Sequence, residues 1–196
     1  IKHNKTKKII YYKNAWLKIY DKPVVYFPKF FHPDPTVKRQ SGFLMPKFSE
    51  TNTFGTALQI PYFKVISENK DLTFTPRLYT DGSSVLQSEY REEKENSSHI
   101  LDFSIFTKES LNIFDSDDQK NHFFSNSVFN YDFEKFSDST LEINIETVSN
   151  PTYLKTYKIE SPLINNETSL NSFVNLEMNN EDTYVKTSFE SYEDLN

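Results

Sequence analysis

Apolar and polar residues alternate with period two along most of this chain, and that rhythm constrains its fold more than any other feature. In the stretch 141–149, LEINIETVS, Leu141, Ile143 and Ile145 point one way and Glu142, Asn144 and Glu146 the other. A helix would scatter these residues around its circumference, whereas a β-strand sorts them onto two faces. The pattern returns about nine times after residue 41. Val174, Leu176 and Met178 oppose Asn171, Asn175 and Glu177, while Val185 and Phe189 oppose Lys186, Ser188 and Glu190. Leu101, Phe103 and Ile105 oppose Asp102 and Ser104; Leu86 and Tyr90 oppose Gln87, Glu89 and Arg91. Leu72, Phe74 and Leu78 oppose Thr73, Thr75 and Arg77; Phe123, Phe129, Tyr131 and Phe133 oppose Asn126, Asn130 and Asp132. The expected fold class is all-β and antiparallel. A soluble two-sheet sandwich and a membrane barrel share this binary pattern, so alternation leaves both open.

Loop lengths bear on the choice. With the first of these strands starting near Ser41, the turns at its far end fall at about 50–53, 80–84, 108–121 and 150–169. Those at the near end fall at about 67–71, 95–98, 134–140 and 179–182. Near-end turns stay short while two far-end loops are long, the arrangement of transmembrane barrels. Strands of about 9–11 residues also suit a tilted bilayer crossing. Tyr62, Phe63, Tyr79, Tyr90, Phe106 and Phe133 sit near strand ends, where interfacial girdles lie, although aromatics are common in any sheet. About nine strands cannot close such a barrel, because two unpaired edges would face lipid. Either more strands follow residue 196 or this is not a membrane barrel.

Before these strands, KIIYYKNAWLKIY and KPVVYFPKFF read as two or three strands joined at Asp21-Lys22, with Ala15, Leu17, Ile19, Val25 and Phe27 on apolar faces. Between the two parts runs HPDPTVKRQSGFLMP, residues 32–46, a rigid and basic joint. Charge divides along the same line. Residues 1–47 carry +9 and the remainder −15, within a net −6. The basic part should attract anions, nucleic acid or phosphorylated lipid, and no nucleic-acid motif accompanies it. There is no cysteine, hence no disulfide framework and no thiolate metal site in this stretch. No run approaches the roughly 18 apolar residues of a membrane-spanning helix. The chain starts at Ile1 with no signal-peptide pattern and is read as part of a longer protein.

The stretch PVVYFPKFFHPDPTVKRQSGFLMPKF, 23–48, resembles the LPS-assembly protein LptD family, also called organic solvent tolerance proteins. The matching residues are Pro23, Tyr26, Pro28, Phe30, His32 to Pro35, Val37 to Arg39, Ser41 to Leu44 and Pro46. FGTALQIPYFKVISENKDLTFTPRLYT and the loop NPTYLKTYKI continue the likeness, which is weakest over 95–140. The resemblance implies residues 1–35 as the C-terminal strands of a periplasmic β-jellyroll with the junction. It implies residues 36–196 as the first strands, about nine, of a large antiparallel transmembrane barrel. Its implied function is insertion of lipopolysaccharide into the outer leaflet of a Gram-negative outer membrane. Acyl chains would travel through the jellyroll and sugars through the barrel lumen. The implied partners are lipopolysaccharide, outer-membrane lipid, a lipoprotein plug, LptE, and a periplasmic jellyroll bridge, LptA.

Proline lacks the N–H of a ladder hydrogen bond. Pro46 is expected in the first barrel strand and Pro61 in the second, where they would either weaken a lateral seam or only shape a bend or bulge, two readings the sequence supports equally. Pro33 and Pro35 stiffen the junction. Lys38 and Arg39 are the candidates for contact with lipid phosphates, set against an ordinary solvated pair. Glu89, Asp102, Asp132, Glu142, Glu146 and Glu177 would line the lumen as solvated charge. His32 and Asp34 make too sparse a set for a metal and read as a turn. His3, His99 and His122 receive no role, and no cofactor, metal or catalytic group is expected. Two other classes stay open. A lipid A-modifying barrel enzyme would need a nucleophile and base, and Ser98-His99 is the one adjacent pair. A soluble sandwich binding polysaccharide would bury the Leu141/Ile143/Ile145 face against a second sheet.

Overall fold

The computed structural model describes residues 1–4, 9–19, 21–34, 39–51, 53–108, 120–133, 135–164 and 166–195. It divides into two compact units, Ile1–Gly42 and Phe43–Asn196.

In the first unit β1 (Lys2–Asn4), β2 (Ile9–Ile19) and β3 (Lys22–Pro33) form an antiparallel sheet in that order. Asp21 takes a left-handed conformation, φ 62°, in the tight connection from β2 to β3. Rings meet at a tilt across this hairpin, with Trp16 and Tyr26 centroids 4.8 Å apart. Asp34, next to β3, contacts His3 and is buried, which gives it a structural partner at the edge of the junction.

The second unit is one antiparallel sheet. Its elements are β4 (Gly42–Phe43), β5 (Lys47–Thr51), β6 (Gly55–Gln59), β7 (Tyr62–Ser67), β8 (Lys70–Tyr79) and β9 (Ser84–Lys94), then β10 (Ser97–Thr107), β11 (Lys120–Phe133), β12 (Phe136–Val148), β13 (Ser169–Asn179) and β14 (Tyr184–Asp194). The order runs β14-β13-β12-β11-β10-β9-β8-β6-β5, with β7 beside β8.

Three departures from the sequence expectation have physical causes. The first two expected strands are each broken, at Leu44–Pro46 and at Ile60–Pro61, so Pro46 and Pro61 lie between strands instead of within them. Each proline removes a donor where the ladder would continue. The remaining groups re-pair across the break, Leu44 N to Pro61 O at 2.8 Å and Ile60 N to Pro76 O at 3.1 Å. The turn expected at 134–140 is much tighter, because Phe133 pairs with Phe136 through an irregular register after Tyr131. The loop at 150–169 contains a helix, α1 (Tyr153–Tyr157). Asn150 starts it by accepting from the Thr152 amide at 2.9 Å and the Thr152 hydroxyl at 2.7 Å. Lys158 ends it in the left-handed region, φ 48°.

Register fixes the two faces. Arg77 opposes Val85, Gln87 opposes Ser104, Glu89 opposes Asp102 and Ser104 opposes His122, so these side chains share one face. The other face carries Phe74, Leu78, Phe103, Phe123, Ile145, Val174 and Phe189, all exposed. Ile145 is 43% exposed and Phe189 73%, so among the described residues no second sheet covers this face. That is opposite to what a sandwich requires.

Candidate functional site on the polar face

The polar face is not uniformly wet. Toward the end where β8 turns into β9 it carries Ala57, Tyr79, Val85, Phe106 and Phe124, all buried. They are buried because the segment from α1 onward lies on them. Tyr153, Leu154, Tyr157 and Ile159 complete one apolar cluster with Phe54. Phe54 stacks on Tyr157, centroids 5.2 Å apart, and Phe106 meets the same ring at 4.3 Å.

Beneath this cover runs a chain of buried polar groups. Ser104 Oγ lies 2.6 Å from His122 Nδ1 and 2.7 Å from the Tyr153 hydroxyl. Gln87 Nε2 donates to both carboxylate oxygens of Asp102 at 3.1 Å and to the Glu160 carbonyl at 2.8 Å. Arg77 donates to the Tyr157 carbonyl and, at 3.2 Å, to that of Lys158, satisfying the C-terminal end of α1. Side chains on β8, β9 and β10 thus reach main-chain or hydroxyl groups of a segment some fifty to eighty residues later. Burial holds the Tyr153 phenol well above its ordinary ionisation range, against a smaller opposing effect of the Ser104 bond. It therefore stays neutral and able to donate.

Ser104, His122 and Asp102 are residue types of a nucleophilic triad, and their geometry does not make one. His122 Nε2 is 3.6 Å from Asp102 Oδ1, outside hydrogen-bond reach, and all three side chains are fully buried. The arrangement clamps a loop to a sheet. Ser98 and His99, the pair considered for an enzyme, lie on β10 without such a partner set among the described residues, His99 resting against Phe129 at 5.0 Å.

Away from the clamp the face stays polar and partly exposed. Asn126 donates to Glu142 at 2.9 Å, Asn144 donates to Glu146 at 2.9 Å, and Glu146 accepts from the Asn171 amide at 2.8 Å. At the opposite end Arg91 pairs with Asp71 at 2.9 Å and Glu89 at 3.4 Å. In the β8–β9 turn, the Ser83 hydroxyl and amide hold the Asp81 carboxyl below its ordinary range.

The expected site residues fall as follows. Glu89, Asp102, Glu142, Glu146 and Glu177 share the polar face through the register of β9 to β13. Asp102 departs from the expected solvated charge: it is fully buried and held by Gln87, whose amide also reaches the Glu160 carbonyl. Asp132 is exposed near the end of β11. Arg39 is exposed, Pro46 exposed and Pro61 buried. Lys38 and Pro35 lie outside the described residues, as does the side chain of Pro33 at the end of β3. Among the described residues no group of three or more His, Cys, Asp or Glu is placed to hold a metal. Sequence reasoning missed Ser104, His122 and Tyr153 as partners. The available signal was parity: His122 shares the phase of Asn126 and Asn130, which puts it on the polar face with Ser104.

The family described as "LptD protein" matches residues 10–194. The LPS-assembly protein LptD of Acinetobacter baylyi is 28% identical over 151 residues, covering 68% of this chain and 18% of that protein. That of Pseudoalteromonas translucida is 41% identical over 78 residues, 40% of this chain and 10% of its own length. That of Pseudomonas aeruginosa is 38% identical over 88 residues, 45% of this chain and 9% of its own. The chain spans less than a fifth of the length of these relatives. Their shared name is that of LPS-assembly proteins. With nearly the whole described chain inside one family match, this protein belongs to the LptD protein family.

Proposed function

We propose that this chain is part of an outer-membrane machine that assembles lipopolysaccharide at the cell surface of a Gram-negative bacterium. The observation that carries the reading is the pair of faces of one sheet. One presents Phe103, Phe123, Ile145, Val174 and Phe189, exposed and unmatched by a second sheet among the described residues. The other presents carboxylates and amides. Soluble proteins rarely expose so large an apolar surface, whereas a barrel wall sets it against hydrocarbon and encloses water with the polar side. Family membership supports the same cargo, since the relatives are named for lipopolysaccharide assembly.

In this reading the first unit is the end of a periplasmic jellyroll that carries acyl chains, and the second is part of a barrel wall whose lumen takes the sugars. The barrel holds a lipoprotein plug, LptE, and the jellyroll is fed by a related bridge, LptA. Pro46 and Pro61 lower the number of ladder bonds at the first strands, which favours sideways opening there. Pro33 and Pro35 stiffen the junction, and Lys38 and Arg39 meet lipid phosphates within it. Replacing both basic residues by Ala in the full-length protein should cut lipid crosslinking at the junction; unchanged crosslinking rejects that role.

The barrel reading is tested with single cysteines in the full-length protein, at Ile145 and at Glu142. Ile145→Cys should react with a lipid-soluble thiol reagent in intact outer membranes, and Glu142→Cys with a water-soluble one. The reverse pattern removes the barrel wall and the conduit with it.

A further inference from the structure

The helix α1 has two sides with different neighbours. Tyr153, Leu154 and Tyr157 are buried against the sheet, while Lys155, Thr156 and Lys158 are exposed. The exposed side faces the turn between β5 and β6 across a cleft of about 290 Å3, lined by Glu50, Thr51, Thr53, Lys155, Thr156 and Lys158. Both walls are tied down by hydrogen bonds. Thr51 Oγ1 accepts from the Phe54 amide at 3.1 Å and donates to the Gly55 carbonyl at 3.2 Å. On the other wall the clamp beneath α1 fixes where the two lysines emerge.

The charge here runs against that of its surroundings. From residue 48 onward the chain carries −15, yet two lysines converge on this one cleft. Lys158 Nζ donates to the Glu50 main-chain carbonyl at 3.0 Å, a bond that orients the ammonium without neutralising it. Glu160, the next acid along the segment, pairs with Lys47 at 3.4 Å. Arg77 below adds a third cation whose bonds go to carbonyl oxygens. The Glu50 carboxylate is the one acid in the lining.

Two lysines lining the cleft, one of them held by a main-chain carbonyl, together with threonine hydroxyls match a doubly charged, acceptor-rich oxyanion better than a single carboxylate. We propose that this cleft binds the phosphate of a phosphorylated saccharide. The proposal rests on the lipopolysaccharide reading and deepens it: the site would hold the anionic head of the cargo beside the first strands of the sheet.

The test is acetylation footprinting of the full-length protein, read by mass spectrometry at Lys155 and Lys158, with Lys64 as internal reference. The probes are intact lipopolysaccharide, phosphatase-treated lipopolysaccharide and inorganic phosphate, with bound lipopolysaccharide measured separately by co-purification. Intact lipopolysaccharide should slow modification of both lysines about fivefold or more, and phosphatase treatment should abolish that protection. Glu50→Gln should strengthen the protection. Replacing both lysines by Ala should weaken binding, and replacing both by Arg should restore it. Equal modification with and without bound lipopolysaccharide overturns the site while leaving the transport reading intact. Equal protection by phosphatase-treated material overturns the phosphate, and equal protection by millimolar inorganic phosphate overturns the saccharide. If the protein binds no lipopolysaccharide at all, the transport reading fails and this proposal with it.

Discussion

Ser104 Oγ and His122 Nδ1 lie 2.6 Å apart on neighbouring strands, both side chains fully buried beneath the ring of Tyr153. One hydroxyl thus serves two buried partners, since Tyr153 OH sits 2.7 Å from the same oxygen. Ser104→Ala leaves both without a mate, at a cost of about 1–3 kcal/mol for each stranded group. The α1 segment should lift more often, and trypsin should cleave after Lys155 and Lys158 in the folded protein at least about fivefold faster. In a Ser104→Ala/Tyr153→Phe double variant the loss should be less than the sum of the two singles. Full additivity would mean that the hydroxyl does not couple these residues.

Arg77 reaches from β8 to two carbonyls at the end of α1. A helix terminus this far inside has few other donors. Arg77→Lys keeps the charge and loses the fork of planar donors, and Arg77→Met loses both. Amide exchange over residues 153–160 should quicken in the order wild type, Lys, Met, with the Met variant losing about 1.5–3 kcal/mol of local stability. Equal exchange in all three would assign the packing of α1 to its aromatic contacts alone.

How far the fold was readable depends on the range of the physics involved. Alternation in Leu141 to Glu146 is local, so the strands and their two faces could be read directly, and register then follows from short hairpins such as that joining β9 to β10 at residues 95–96. Tyr153–Tyr157 is a single turn, too short to declare a helical period, so its segment read as open loop. The burial of Asp102 was beyond reach for a related reason. Parity assigns a face, but only the fold-back of a segment fifty residues later decides whether that face is wet. The proline breaks stood between these cases: Pro46 and Pro61 announce a missing donor, while the side-chain rhythm runs straight through them.

Gly55 occupies a left-handed position, φ 77°, where β6 leaves the turn. A Cβ there would fall inside the contact shell of Thr80 Oγ1, which itself accepts from the Thr56 amide at 3.2 Å. Gly55→Ala should therefore cost about 1–2 kcal/mol in backbone strain alone, before the clash. Gly82 also has positive φ, 89°, but open space around it, so Gly82→Ala should cost the strain and no more. Thermal midpoints of the full-length protein should fall further for the first variant, and the opposite ranking would remove the Thr80 contact from the account.

Tyr153 ties the clamp to pH. Burial raises its phenol above the ordinary value of about 10, which means that folding favours the neutral ring. A group raised in the folded state contributes stability that is complete below its unfolded value and declines as pH climbs through the folded one. Release of α1 becomes linked to proton loss from about pH 10 upward, while neutral and acid conditions leave this contribution untouched. The chain has no cysteine, so Thr156→Cys offers a place for a spin label on the exposed side of α1. Its mobility by electron paramagnetic resonance should stay flat from neutral pH to about 10 and then rise. Tyr153→Phe, which cannot ionise and has lost the Ser104 bond, should be more mobile at every pH and lack most of the alkaline rise. If both proteins loosen equally above pH 10, ionisation elsewhere drives the release, and burial of Tyr153 does not set the threshold.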